Sequence, residues 1–175
     1  KEKIPKEMLL VFDLEKKRLS NNNIQTLEDT INYKFAGKAL GKAVAKQAYN
    51  AGSAEEQKRY IALFKRHLAL YIASIMQGYS NQTYEIISSN YNQKNQTTLI
   101  DMKIYDESSS IVVTWRVIKH KDSFYVIDLY IANISLMKAK RSEFNSILKN
   151  INNNLYEFNK ILENQNKISY SKLIN

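Results

Sequence analysis

The first half of the chain carries apolar residues at helical spacing. Leu10, Val11 and Leu14 predict a first helix over Glu7–Leu19, which ends at three consecutive asparagines. A second helical pattern runs from about Leu27 to Tyr49. Small residues recur on one face of this second pattern, at Gly37, Gly41, Ala45 and Ala48, and we expect that face to pack closely against a neighbouring helix.

The clearest helix of the chain follows Gly52, which we expect to break the preceding helix in a left-handed conformation. Ser53 is the expected N-cap, and Glu56 is in the right place to complete a capping box with it. The apolar stripe of this helix covers about seven turns at 3.6 residues per turn. It consists of Tyr60, Ile61, Phe64, Leu68, Tyr71, Ile72, Ile75 and Tyr79, and Gly78 and Asn81 follow as the expected end.

The pattern then changes to the alternation typical of β-strands. We predict strands over Thr83–Ile87, Thr97–Tyr105, Ile111–Lys119 and Phe124–Ile131. The polar segments between them are short, so successive strands are expected to pair as antiparallel neighbours. In the third strand, Ile111, Val113, Trp115 and Val117 share one face, whereas the pattern of the fourth strand does not decide which face points inward.

Two further helices are predicted over Arg141–Asn150 and Leu155–Asn164. The resulting order of helices, four antiparallel strands and helices predicts an α+β fold in which helices pack on a curved sheet. The length of 175 residues fits one domain covering residues 1–175, and no apolar run is long enough for a transmembrane helix. Because the chain begins at Lys1, we expect either a trimmed cytosolic protein or a mature exported protein without its signal peptide.

Composition excludes several classes of enzyme. There is no cysteine, and the two histidines, His67 and His120, are far apart, so thiolate nucleophiles, histidine-based triads and most metal centres are not expected. Asp101 and Asp128 form a carboxylate pair on the predicted sheet that would serve either acid–base catalysis or as hydrogen-bond acceptors at strand ends. An enzyme acting on a small apolar substrate would need one of them desolvated in a cavity, with a raised pKa.

The net charge of +9 would ordinarily indicate a nucleic acid or an anionic membrane surface as partner. Most basic residues are scattered lysines, however, and the parallel excess of Asn and Ile points to an AT-rich genome as their source. The one regular row is Lys34, Lys38, Lys42 and Lys46. It is either a solvated helix face or a surface that docks on anions.

Large apolar side chains are more numerous than four short strands require. The long helix would place six of them opposite the sheet, where the third and second strands contribute as many again. Two interpretations remain open from composition alone. These side chains form an ordinary core, or they enclose a cavity that holds an apolar ligand.

Several segments, in order and with short gaps, resemble the MlaC family of periplasmic phospholipid-binding, toluene-tolerance proteins. They are Y-K-F-A-G-K-A-L-G-K-A (33–43), S-A-E-E-Q-K-R-Y-I-A-L-F (53–64), L-A-L-Y (68–71), N-Q-T-Y-E-I (81–86), Trp115-Arg116, V-I-D-L-Y-I-A-N-I-S-L (126–136) and K-R-S-E-F (140–144). The resemblance runs from about Tyr33 to Leu162. It departs from the family at Asn133 and Asn150, where the family has glycine, and at Phe124, where it often has tryptophan. Asn133 is expected to keep a left-handed turn.

The resemblance implies helices on a curved four-stranded sheet that encloses an apolar lipid pocket, similar to the nuclear-transport-factor-2-like fold; the alternative is a cone-shaped α+β enzyme or binding module that acts on a small apolar ligand. It implies a monomeric periplasmic carrier with no catalytic activity and no cofactor, which moves glycerophospholipid between an outer-membrane lipoprotein complex and an inner-membrane ABC transporter and maintains outer-membrane asymmetry. Nucleic acid is not an expected partner. The expected tail-contacting residues are Phe64, Leu68, Tyr71, Ile72, Ile75, Ile100, Met102, Val113, Trp115 and Val117.

Overall fold

The computed structural model describes residues 21–77 and 83–174, so the helix expected at Glu7–Leu19 and the helix end expected at Gly78–Asn81 lie outside it. Four helices come first: α1 (Asn21–Lys34), α2 (Gly37–Val44), α3 (Lys46–Ala51) and α4 (Ala54–Gln77). The strands are β1 (Thr83–Asn92), β2 (Thr97–Tyr105), β3 (Ser110–His120), β4 (Ser123–Ile131) and β5 (Ile134–Ser135). Helices α5 (Leu136–Asn150) and α6 (Leu155–Ile174) complete the described chain.

The segment expected as one helix from Leu27 to Tyr49 is three helices. Its first break lies at Phe35 and Ala36, where the chain touches the sheet: Phe35 bridges Val126 of β4, and the Ala36 amide donates to the Val126 carbonyl at 3.1 Å. Such a contact between distant segments is invisible to helical periodicity. The expected close packing of the small-residue face is present, because a Cβ added at Gly41 would lie 2.9 Å from Ile61 of α4.

The expected left-handed conformation of Gly52 is wrong, whereas the expected capping box at Ser53 is confirmed. The backbone of Gly52 is extended, with φ −77° and ψ 155°, so the residue is not left-handed. A Cβ at Gly52 would lie only 2.5 Å from Leu155 Cδ2, so this glycine lets two segments approach closely. The capping box is formed as expected: the Glu56 amide donates to Ser53 Oγ at 3.2 Å, and the Ser53 amide donates to the Glu56 carboxylate at 2.7 Å.

The sheet is an open antiparallel meander in the order β1-β2-β3-β4-β5, with one strand more than expected. The fifth strand is only two residues long and follows a tight turn at Ala132 (φ 48°) and Asn133 (φ 64°). Two successive positive φ angles are the geometry of a type I′ turn, so Asn133 is left-handed as expected. Asn150 also stands where the family has glycine, but it is not left-handed. The left-handed residues after α5 are Asn152 and Asn153.

Two β-bulges decide which side chains face the helices. Ile87 is the extra residue of β1, between Ile86 and Ser88. Ile127 is the extra residue of β4, because Arg116 pairs with Asp128 while the next residue, Val117, pairs with Val126. A bulge bends its strand and increases the local twist, which fits the curved sheet predicted from the sequence. The bulge at Ile127 also shifts the alternation of β4, so that Val126 and Leu129 are its buried apolar residues. Because of this extra residue, inward and outward side chains do not alternate strictly along β4, and its sequence pattern could not show which face points inward.

Helices α4 and α6 run parallel and are joined by a ladder of buried asparagines. The side-chain amide of Asn159 donates to the Glu56 carbonyl, and that of Asn166 donates to the Leu63 carbonyl, both at 3.1 Å. Both the asparagines and the accepting carbonyls are seven residues apart, so the ladder sets the register of the two helices. The sequence prediction ended α6 at Asn164, ten residues too early, and did not include these contacts.

We expect Asn166→Ala to lower the free energy of unfolding by about 2 kcal/mol, because it removes the bond to Leu63 and leaves the ring nitrogen of His67 without its partner. Urea denaturation followed by circular dichroism measures the change. Asn164→Ala is the matched control, since Asn164 is exposed on the same helix and its loss should change stability by less than about 0.5 kcal/mol. Equal effects of the two substitutions would contradict the ladder.

Candidate functional site

The inner face of the sheet brings together all five strand residues that the sequence singled out. Ile100 lies directly opposite Trp115, and Met102 lies directly opposite Val113, so these four side chains form one continuous apolar surface. Val117 extends the surface along β3. All five residues are buried and belong to the main hydrophobic cluster. Their shared face is therefore as predicted.

Three further residues of this face escaped the sequence analysis. Val126 and Leu129 of β4 face inward because of the bulge at Ile127. Phe35, which was assigned to the interior of a helix, instead places its ring edge-on against Trp115 with 6.5 Å between ring centroids. The sequence near Phe35 contains no clear helix-ending signal, because the contact that interrupts the helix there is with the distant strand β4.

The five predicted residues of α4 have different surroundings. Leu68 and Ile72 are buried in the cluster that includes the inner face of the sheet, and Ile75 is half-buried one turn further along the helix. Phe64 lies between helices, with its ring 6.1 Å from that of Tyr60 and 6.2 Å from that of Phe144. It belongs to an aromatic cluster that α3, α4, α5 and α6 share and that consists of Tyr49, Tyr60, Phe64, Phe144 and Phe158.

Tyr71 is the fifth predicted residue, and its ring lines a cleft between α4, α5 and α6, here called the polar cleft because charged groups lie among its largely apolar walls. The ammonium of Lys140 lies 4.3 Å from the centroid of this ring, within the range of a cation–π contact. The cleft has a volume of about 360 Å³. Tyr71 is therefore next to charged groups as well as apolar ones.

The apolar inner face loses its cover at the edge strand. Met102 of β2 is 1% exposed, whereas Ile86, directly opposite it on β1, is 42% exposed. Tyr84, which pairs with Ile104 on the same face, is half-buried against the hydrophobic cluster. The interior apolar surface is thus continuous with an exposed strip on β1, here called the β1 rim (Tyr84, Ile86).

The two carboxylates considered for catalysis have structural partners. Asp101 is on the outer face, where hydrogen bonds from the hydroxyls of Ser88 and Thr114, both at 2.6 Å, hold its pKa below its usual value. Asp128 is buried and accepts hydrogen bonds from the amides of Leu129 and Met137 and from the Ser135 hydroxyl. The catalytic interpretation required a raised pKa, and that of Asp101 is shifted in the opposite direction.

Within the described residues, His, Asp and Glu side chains form no group of three that could hold a metal ion. Across the same part of the chain, every helix is too short or too polar to span a bilayer.

The profile of the MlaC protein family matches residues 6–166. The chain belongs to the MlaC family. The match confirms the resemblance that the sequence segments indicated, and it includes every residue of the inner face and of the β1 rim. No curated protein matches the chain.

A solved structure shares the fold of this MlaC-family chain. It is a phospholipid-binding protein from Ralstonia solanacearum, determined in complex with a phospholipid. The two align with a TM-score of 0.73 at 14% sequence identity, over 94% of this chain and 92% of the other. At this identity the comparison establishes the architecture, and the α+β fold of helices on an open antiparallel sheet is confirmed.

The histidine of the polar cleft gives a prediction for the pH dependence of stability. Burial, and then the charge of Lys140, lower the pKa of His67 from its ordinary value of 6.5 to about 4. The unfolded chain therefore binds a proton between about pH 6.5 and pH 4 that the folded chain does not. The stabilisation is complete above pH 6.5 and is lost as the pH falls through this window, by on the order of 3 kcal/mol.

We expect His67→Gln to flatten the dependence of the unfolding free energy on pH between 7 and 4. His120→Gln is the control, since His120 lies exposed at the end of β3 and its loss should leave the slope unchanged. Urea denaturation at a series of pH values measures both slopes. The same slope in wild type and His67→Gln would show that the buried imidazole does not control this window.

Proposed function

We propose that the protein is a periplasmic carrier of glycerophospholipid without catalytic activity. The observation that supports this most directly is the apolar inner face of the sheet, which is buried at Met102 and open at Ile86. A surface of this kind offers hydrocarbon chains both a place to lie and a side from which to enter. Membership of the MlaC family and the fold shared with a phospholipid-bound protein support the same function.

In the proposed complex, acyl tails lie between α4 and the inner face of the sheet and the headgroup stays outside this apolar interior. Tail contacts come from two walls. The helix contributes Leu68, Ile72 and Ile75, and the sheet contributes Ile100, Met102, Val113, Trp115 and Val117. Phe64 and Tyr71, which the resemblance also implied, have their rings among the aromatic cluster and beside Lys140, so we assign them a supporting role.

The energetics of the tails require direct transfer between proteins. At about 0.8 kcal/mol per buried methylene, roughly thirty methylenes of a diacyl lipid stabilise the complex by on the order of 20 kcal/mol. Release of such tails into water is too slow to be useful, so the carrier has to dock on each partner. The partners that the family implies are an outer-membrane lipoprotein complex and an inner-membrane ABC transporter, and this traffic maintains the lipid asymmetry of the outer membrane. A monomer with lipid as its cargo and no cofactor suffices for it.

The two alternative functions gain no support. Asp101 and Asp128 are held by hydrogen bonds from neighbouring groups, which explains both without a substrate. The lysine row is divided among α1, α2 and α3, and Lys42 lies over the ring of Tyr49 at 5.4 Å. The regular spacing in the sequence is thus not one uninterrupted helical face.

Ile86→Glu tests the proposed entry of lipid at the β1 rim. A carboxylate at this position would contact hydrocarbon during loading, and this contact raises the free-energy barrier to transfer. Each 1.4 kcal/mol added to the barrier slows transfer about tenfold. We expect uptake of fluorescent phospholipid from vesicles to slow at least tenfold, while the circular dichroism spectrum stays unchanged because Ile86 is not in the packed interior.

Val112→Glu is the matched control for this test. Val112 is 42% exposed, as Ile86 is, but its pairing with Lys103 places it on the outer face of the same sheet. Its uptake rate should equal that of wild type. If both substitutions slow uptake equally, general surface charge is responsible and lipid does not enter at the β1 rim.

A further inference from the structure

The polar cleft between α4, α5 and α6 has the features of a second binding site. Its volume of about 360 Å³ is within the range of about 300–1,000 Å³ that small-molecule sites occupy. Leu70, Ile168 and Leu173 contribute apolar wall. The polar and charged groups that line it include His67, Tyr71, Lys140, Glu143, Gln165 and Lys172.

Lys140 is an unusual cation because its residue is only 6% exposed. Buried lysines are almost always paired, and here the ammonium Nζ donates to Glu143 Oε2 at 2.9 Å and faces the ring of Tyr71. An ammonium has three N–H donors, and the bond to Glu143 uses one of them. Donor capacity therefore remains at the wall of the cleft.

His67 supplies an acceptor without a partner. The residue is 8% exposed, and its Nδ1 lies 3.2 Å from Asn166 Oδ1. Because the amide nitrogen of Asn166 donates to Leu63, its oxygen accepts, so Nδ1 of His67 carries the proton and Nε2 is the acceptor. No hydrogen bond reaches Nε2.

A second unpartnered acceptor lies in the same cleft. Among the described residues, three buried side-chain atoms lack a hydrogen bond, and two of them, His67 Nε2 and Gln165 Oε1, belong to residues that line it. An unpartnered buried polar atom is unfavourable when no ligand or water satisfies it. Both atoms lie behind neighbouring side chains, so a ligand that donates two hydrogen bonds reaches them by displacing those side chains.

The charges of the cleft define the rest of the ligand. The ammonium groups of Lys140 and Lys172 and the single carboxylate of Glu143 leave one net positive charge. An anion with hydroxyl or ammonium donors satisfies both the charge and the acceptors. We propose that the cleft binds a phosphate ester that carries a hydroxyl or ammonium group, with its phosphate at Lys140 and Lys172 and its donors at His67 Nε2 and Gln165 Oε1.

This chemistry occurs both in the headgroup of a phospholipid and in a free phosphate ester such as glycerol 3-phosphate. Only the first source rests on the carrier function proposed above. Tyr71 of the cleft and Ile75 of the proposed tail wall are four residues apart on α4, so the cleft and the tail site lie on adjacent faces of one helix.

The test titrates the whole protein, labelled with ¹⁵N-histidine, with glycerol 3-phosphate and reads the Nε2 resonance of His67 by NMR. We expect a saturable shift of this resonance, with His120 unaffected. Inorganic phosphate has no hydroxyl or ammonium group on carbon, so we expect it to bind at least about fivefold more weakly than glycerol 3-phosphate. No saturable shift of His67 with glycerol 3-phosphate or phosphorylethanolamine overturns the proposal.

Variants separate the cleft from general attraction to a basic surface. Lys140→Gln and Lys172→Gln should each weaken binding about tenfold, whereas Lys138→Gln and Lys167→Gln, at exposed positions of the same two helices, should leave it unchanged. Lys172 is exposed, so its variant keeps the test valid if Lys140→Gln unfolds. Equal weakening by all four substitutions overturns the site.

Loading the protein with phospholipid distinguishes the two sources. If the headgroup occupies the cleft, lipid alone shifts the His67 resonance and blocks glycerol 3-phosphate. If the cleft takes a free ester, lipid-loaded protein still binds glycerol 3-phosphate at His67. If the protein binds the ester but takes up no lipid, the cleft proposal stands and the carrier function is wrong. If the protein takes up lipid but the His67 resonance does not respond to lipid or ester, the carrier function stands and the cleft proposal is wrong.

Discussion

Apolar surface in water costs about 25 cal/mol per Å², and one face of this sheet is apolar along its long strands. On β2, β3 and β4 that face is buried, and at Ile86 on β1 it is open. The difference arises within one directly opposed pair of residues, Met102 and Ile86. The proposed carrier function rests on this boundary, because a bound hydrocarbon chain would extend the interior across it.

The helix layer keeps its shape through contacts that do not involve the sheet. Asn159 and Asn166 join α6 to α4, the Tyr60 hydroxyl donates to the Gly41 carbonyl at 2.8 Å, and the aromatic cluster fills the space between helices. These bonds are internal to the helix layer and do not involve the inner face of the sheet. A layer of this kind suits a protein that exchanges cargo.

Local signals in the sequence predicted local structure well. The capping box at Ser53, the bounds of β2 and the inward face of β3 depend on residues close together in the chain, and each is present. The inner-face residues of β3 followed from alternation alone. What the sequence could not supply depends on distant segments: the helix break at Phe35 needs Val126, and the burial of Leu129 needs the bulge at Ile127. The polar cleft is formed by three helices together, so periodicity placed Tyr71 in the apolar stripe and gave no sign of Lys140 beside it.

The central claim is that this interior holds the tails of a glycerophospholipid. Native mass spectrometry of the purified protein, followed by extraction and lipid analysis, tests it most directly. The account predicts glycerophospholipid in stoichiometric amount, with varied acyl chains because methylenes offer nothing for hydrogen bonds to select. Protein that carries no lipid from its host and acquires none from vesicles would contradict the account.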